Sequence, residues 1–278
     1  MGDITTLLAG TAAVIAVCAA ARGTWSPCGI SMLSSITPMA ERGRGHRFRP
    51  TATWFVVGAF TGGLTLGLVA AALAAGVRAA HLHPTTLAAL GTAAAVLAAA
   101  SDGHVARFAL PIHRRQVNER WLDQFRPWVY GAGFGWQIGT GLATYIKTAA
   151  VYLMIVLLAL AGDPWVALGV GALFGLVRGL AVLLGRRITT FDALARLHRR
   201  MAELDGPSVA AVVAVELAAA VLCGWLTSPG IAAAVALPAA AVALRRARVS
   251  GRAQPPISTA STSSGTRRTT ARRVPGAW

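Results

Sequence analysis

The chain has 278 residues, 55% of them hydrophobic and only 13% charged, with a mean hydropathy of +0.58 and a net charge of +16. A soluble chain carries about a quarter charged residues, and three cysteines spread over 278 residues exclude a disulfide-stapled secreted scaffold. Charge is absent over runs long enough to cross a bilayer, so lipid is the solvent in which the fold must be read.

Spanning segments of about 17–25 apolar residues are predicted at 4–22, 52–75, 85–101, 143–161, 165–184, 208–227 and 230–244, which makes seven crossings with a short last one. The first begins with Asp3 and no Lys or Arg, so it reads as a retained span and not as a cleavable leader. The basic residues test the topology independently. Of the 26, 22 fall in 41–50, 102–127, 185–206 and the tail from 245, while the N-terminus, 76–84, 162–164 and 228–229 hold only Arg78. By the positive-inside rule the N-terminus is expected outside and the C-terminus in the cytoplasm. The charge is thus mostly topology. No soluble basic surface is expected that would bind nucleic acid, and the Ser-, Thr-, Arg- and Pro-rich stretch 245–278 reads as a disordered cytoplasmic tail near anionic lipid.

Two segments are too long for one straight crossing. Residues 4–40 would measure about 55 Å as helix against a ~30 Å core. The break is expected at Ser26–Cys28, where Pro27 removes a donor and Gly23 and Gly29 relax the chain on either side. In 128–161 a second break is expected near Gly133–Gly141, with Gly133, Gly135, Trp136 and Gly139 as its residues; close packing of glycines on a neighbouring helix is the alternative. Each segment opens a group of three crossings, and the two groups enter from opposite sides. The expected fold class is therefore an all-α integral membrane protein of about seven transmembrane helices, the first six forming two inverted three-helix repeats with broken first helices. The organisation reads as a first repeat over 1–101, a basic cytoplasmic loop over 102–127, a second repeat over 128–228, a further span over 229–244 and the tail over 245–278. The two breaks are expected to approach each other in the membrane interior.

The stretch Trp25-Ser26-Pro27-Cys28-Gly29-Ile30-Ser31-Met32-Leu33 resembles the first broken helix of the DsbD/CcdA family of transmembrane thiol-disulfide electron carriers, of the cytochrome c biogenesis type. Gly133-Phe134-Gly135-Trp136 is similar to the lead-in of that family's second Pro-Cys pair, but Ile138 and Gly139 stand where that pair would fall. The resemblance implies thioredoxin-like partners on either face and a redox role for Cys28, shaped by Pro27 and Gly29, without the second cysteine. Cys18 lies about 15 Å away along an unbroken helix and Cys223 near the other end of the bundle, so both read as small core residues.

Intramembrane ionisable residues are the other signal, because each is costly and usually faces a cavity or a partner. Lys147, Glu216 and Arg178 are candidates for a polar pathway, with Lys147–Glu216 or Glu216–Arg178 as possible pairs, and Arg22 and Tyr145 flank the breaks. His81 and His83 form an outer-loop pair without a third ligand, and His46, His104 and His113 fall in basic loops, so no metal site and no cofactor are expected. No catalytic or nucleotide-binding fingerprint is present. Three functions stay open: a redox protein with one functional thiol, a permease for a small solute or ion, and a non-catalytic membrane partner.

Overall fold

The computed structural model describes residues 2–105 and 124–234, all within one compact unit, Met1–Ala239. The described residues contain no strand, and their main elements are the α-helices α1 (Gly2–Arg22), α2 (Pro27–Ser35), α3 (Pro38–Gly43), α4 (Phe48–Ala79), α5 (Pro84–Asp102), α6 (Pro127–Thr140), α7 (Ala150–Ala161), α8 (Pro164–Leu180) and α9 (Phe191–Thr227). Short 3-10 turns follow α1 at Gly23–Trp25 and α8 at Ala181–Arg187. Prolines begin α2, α3, α5, α6 and α8 at the first helical position, where the missing N–H costs no hydrogen bond. The capping residues are written just before them or in α9's Thr190. Ser26, Thr37, Asp163 and Thr190 each accept from a backbone N–H of the first turn.

The protein is an all-α membrane protein. Five helical segments are long and apolar enough to cross a bilayer: Ile4–Trp25, Phe48–Ala79, Pro84–Asp102, Pro164–Arg187 and Phe191–Thr227. Helices α6 and α7, of 14 and 12 residues, are each too short to span alone. Trp54 and Trp128 meet at a tilt of 54° with ring centroids 6.1 Å apart near one end of the bundle, and Trp165 and Trp225 lie exposed near the other, as aromatic belts at two interfaces do. The predicted span at 230–244 is helical from 229 to 234; its remainder, residues 106–123 of the basic loop, and the tail lie outside the described residues.

Helix α4 packs along both α6 and α8, α5 along α9, and α1 along α7 and α8. Contacts of Gly63 with Gly171 and Gly175, of Gly67 with Leu168, and of Gly179 with Val56 make α4 and α8 antiparallel. Backbones touch at this crossing: a Cβ on Gly63 would collide with the Gly171 carbonyl, and one on Gly175 with the Ala59 carbonyl. Small residues let helices close on one another where lipid supplies no hydrophobic drive. A pocket of about 380 Å³ is lined by Thr5, Arg78, His81 and Asp163, so the start of α1, the α4–α5 turn and the α7–α8 turn share one face of the bundle.

Two boundaries differ from expectation. The segment 185–206 is not a loop: α9 begins at Phe191, capped by Thr190, and runs 37 residues through Pro207 into the predicted sixth span. The predicted span at 143–161 is helical only from Ala150.

Candidate functional site

At the first break, α1 ends at Arg22 and a single 3-10 turn carries the chain to Ser26, which is extended at φ −70° and ψ 156°. Ser26 Oγ accepts from the Gly29 N–H at 3.1 Å, which starts α2 and sets Cys28 in its first turn. Gly29 lies flush on the Thr24 carbonyl, where a Cβ has no room. Cys28 is 2% exposed and belongs to a cluster with Met32, Leu33, Ile36, Phe55, Phe134 and Ile138, against which Tyr145 is half-buried. Cys18 and Cys223 belong to a separate cluster; Cys223 faces Gly91.

The second break corrects the expectation. Helix α6 continues through Gly133, Gly135, Trp136 and Gly139, and the chain leaves it only at Gly141, staying irregular to 149. Gly131, Gly135 and Gly139 recur every four residues and form one face seated on α4, where Cβ atoms at Gly135 and Gly139 would collide with the carbonyls of Phe55 and Ala59. These glycines pack. The helix ends at Gly141 because its φ of +69° is open to glycine and its Cα abuts the Phe174 ring.

Both breaks meet side chains of α8 one turn apart. The Arg178 guanidinium lies against Gly23 and within electrostatic reach of Cys28, and its Cζ stands 5.7 Å from the Phe174 ring centroid, whose other edge touches Gly141. Arg178 is 4% exposed, and its Nη2 has no hydrogen-bond partner. A second bridge is acidic. Asp102, at the end of α5, accepts from Thr148 Oγ1 and, at 2.8 Å, from the Ala149 N–H, which caps α7. Asp102 lies within electrostatic reach of Arg22, and Arg22 Nη1 donates to Asp205 Oδ1 at 2.7 Å. Trp25 Nε1 donates to the Met201 carbonyl at 2.7 Å, and Ser34 Oγ meets His198 Nε2 at 3.1 Å, so the first half of α9 covers the first break.

The structure does not form the pairs predicted for Glu216. Lys147 is exposed, with Asp205 as the carboxylate in its electrostatic reach, because its long stem lets the ammonium leave the break for water. Glu216 is 0% exposed and neither carboxylate oxygen has a hydrogen-bond partner, so it pairs with neither Lys147 nor Arg178. Among the described residues no three His, Cys, Asp or Glu side chains form a metal-binding group; His83 Nδ1 shares a hydrogen bond with Thr85 instead.

Sequence reasoning missed Asp102, Phe174 and Asp205, and also Glu41. The Glu41 carboxylate is wholly buried among Tyr130 Oη at 2.8 Å, Thr51 Oγ1 at 2.6 Å and Arg44 Nη1 at 2.9 Å, which all donate to it. This cluster joins α3 to the starts of α4 and α6. The available signal was one acid among four arginines in 41–50 and one acid closing an otherwise neutral run at 85–102.

No family model matches the chain, and no solved structure matches it. Among curated proteins it is similar to the methylamine utilization protein MauF of Paracoccus versutus, 31% identical over 197 residues covering 68% of this chain and 71% of the relative. It is also similar to that of Methylophilus methylotrophus, 30% identical and covering 76% and 75%, and to that of Methylobacillus flagellatus, 28% identical and covering 73% of each.

Proposed function

The chain belongs to the MauF family of methylamine utilization proteins, and on that premise we propose that it serves methylamine utilization from within the membrane through one thiol, that of Cys28. The observation that carries this is the setting of Cys28 in the first turn of α2 beside the buried Arg178. A helix N-terminus and a guanidinium both put positive potential at the sulfur, the microenvironment in which nucleophilic cysteines are found. Ile138, at which this chain departs from the second Pro-Cys pair of DsbD/CcdA carriers, shares the cluster of Cys28. With isoleucine there, an internal dithiol is replaced by exchange with a partner. The Cys28 sulfur attacks one sulfur of a thioredoxin-like partner's disulfide, the S–S bond breaks, and the partner's second sulfur leaves as a thiolate that takes up the proton lost by Cys28. At 2% exposure this requires α2 to open from its seat.

That same burial favours a second reading, a non-catalytic membrane partner in which Cys28 only fills space. Growth on methylamine separates the two. Cells whose own copy is deleted and replaced by Cys28→Ser are expected to lose methylamine-dependent growth, while Cys18→Ser and Cys223→Ser grow nearly as wild type. Equal growth of all three would select the non-catalytic reading.

The gathering of basic residues in alternate connections supports an N-terminus outside and a C-terminus in the cytoplasm, with lipid around the exposed faces of the helices. Gly45 and Ala195 are both exposed, so a cysteine introduced at either position is expected to resist an impermeant thiol reagent in intact cells and to react after lysis. Labelling from outside would reverse the orientation.

A further inference from the structure

We propose that Glu216 is a proton-binding site in the membrane interior, exchanging one proton with water through Asp102. This goes beyond the role of Cys28 and does not depend on it. Glu216 is 0% exposed, and both of its oxygens lack hydrogen-bond partners. An isolated carboxylate in such a place is opposed by a desolvation cost of several kcal/mol or more, which a bound positive charge removes. Intramembrane carboxyls of this kind mark proton and ion pathways.

The surroundings select the proton. Helix α9 packs on α5 and α1. From α1 the group within electrostatic reach of Glu216 is Cys18, and from α5 it is Asp102; Arg22 and His104 lie within reach of Asp102, and Arg22 also holds Asp205 of α9. These groups do not make the shell of six or more oxygens that a hard metal cation takes. A proton needs one oxygen.

Asp102 supplies the route. It is half-buried at the end of α5, two residues before the exposed His104, and lies within electrostatic reach of Glu216. Its carboxylate takes a proton from hydronium, leaving water, and passes it to a Glu216 oxygen when the two side chains swing into hydrogen-bond distance, one O–H bond forming on Glu216 as that on Asp102 breaks, which leaves Asp102 ionised in its α7 cap. In the reverse direction Glu216 returns to the carboxylate. Arg22, within electrostatic reach of Asp102, holds the Asp102 charge in place between transfers.

Dicyclohexylcarbodiimide tests this, since it reacts with protonated carboxyls in apolar surroundings. The full chain in liposomes, oriented with the Asp102 face known, is labelled at a series of pH values set separately on each side, and adducts are located by mass spectrometry. Glu216 is expected to carry the adduct, and labelling is expected to fall about tenfold per pH unit above its midpoint when pH is raised on the Asp102 side. Glu216→Gln removes the adduct, and Asp102→Asn slows the response to a pH jump by tenfold or more. Absence of a Glu216 adduct at every pH, labelling that ignores pH on both sides, or labelling that follows the opposite face would each overturn the proposal. The first arm uses the unmodified protein, so a variant that fails to fold does not spare it.

Discussion

Replacing Gly139 by alanine is expected to destabilise the protein sharply, although the change adds a single methyl group. The added Cβ would meet the Ala59 carbonyl and the backbone carbons behind it, with no flexible side chain able to yield. Overpacking of this kind costs about 1–3 kcal/mol where side chains can adjust, and a collision between two helix backbones belongs at or above the upper end. Gly58→Ala, whose Cβ would strike the Ala132 carbonyl from the other helix, should behave alike. Gly169→Ala is the control, because nothing lies within 4 Å of its Cβ position; there alanine should be neutral or stabilising by about 0.5–1 kcal/mol. Thermal unfolding in detergent reads all three. Equal melting temperatures for Gly139→Ala and Gly169→Ala would mean that α6 is not seated on α4.

The second large effect is expected at Glu41. Glu41→Ala leaves the Tyr130 and Thr51 hydroxyls and the Arg44 guanidinium around an empty acceptor site, and breaking a buried pair in this way costs about 3–5 kcal/mol. Tyr130→Phe removes one donor and leaves the carboxylate with two, at about 1–3 kcal/mol. Since the groups share one network, the double variant should cost less than the two single costs added together. Additive losses in a double-mutant cycle would show that Tyr130 and Glu41 do not act together.

Both effects fall on residues that a linear reading treats differently from the structure. Membrane class, the five long crossings and the first break were legible, because apolar length, Pro27 and the Ser26 cap are local signals. The second break was legible as an excess of length but not in its position. Glycines every fourth residue look the same in sequence whether they loosen a helix or seat it on a neighbour, and the partner, α4, lies some 75 residues earlier in the chain. Arg178 and Glu216 were visible as costly charges. Their surroundings were not: Arg178 reaches Gly23 and Phe174, while Glu216 faces Asp102 and Cys18, all relations between helices distant in the chain. Asp102 was hidden for a further reason. Its role as the cap of α7 depends on an N-terminus nearly fifty residues away.

The central claim, one working thiol at a break shared by two halves of a membrane bundle, is tested most directly by trapping that thiol at work. Cells growing on methylamine are quenched with acid and an alkylating reagent, and their membranes are resolved without reductant. The account predicts a reductant-sensitive adduct between this chain and a second protein that persists when Cys18 and Cys223 are both replaced by Ser and vanishes in Cys28→Ser. An internal disulfide joining Cys28 to either other cysteine, or no adduct in cells that depend on the protein for growth, would contradict it.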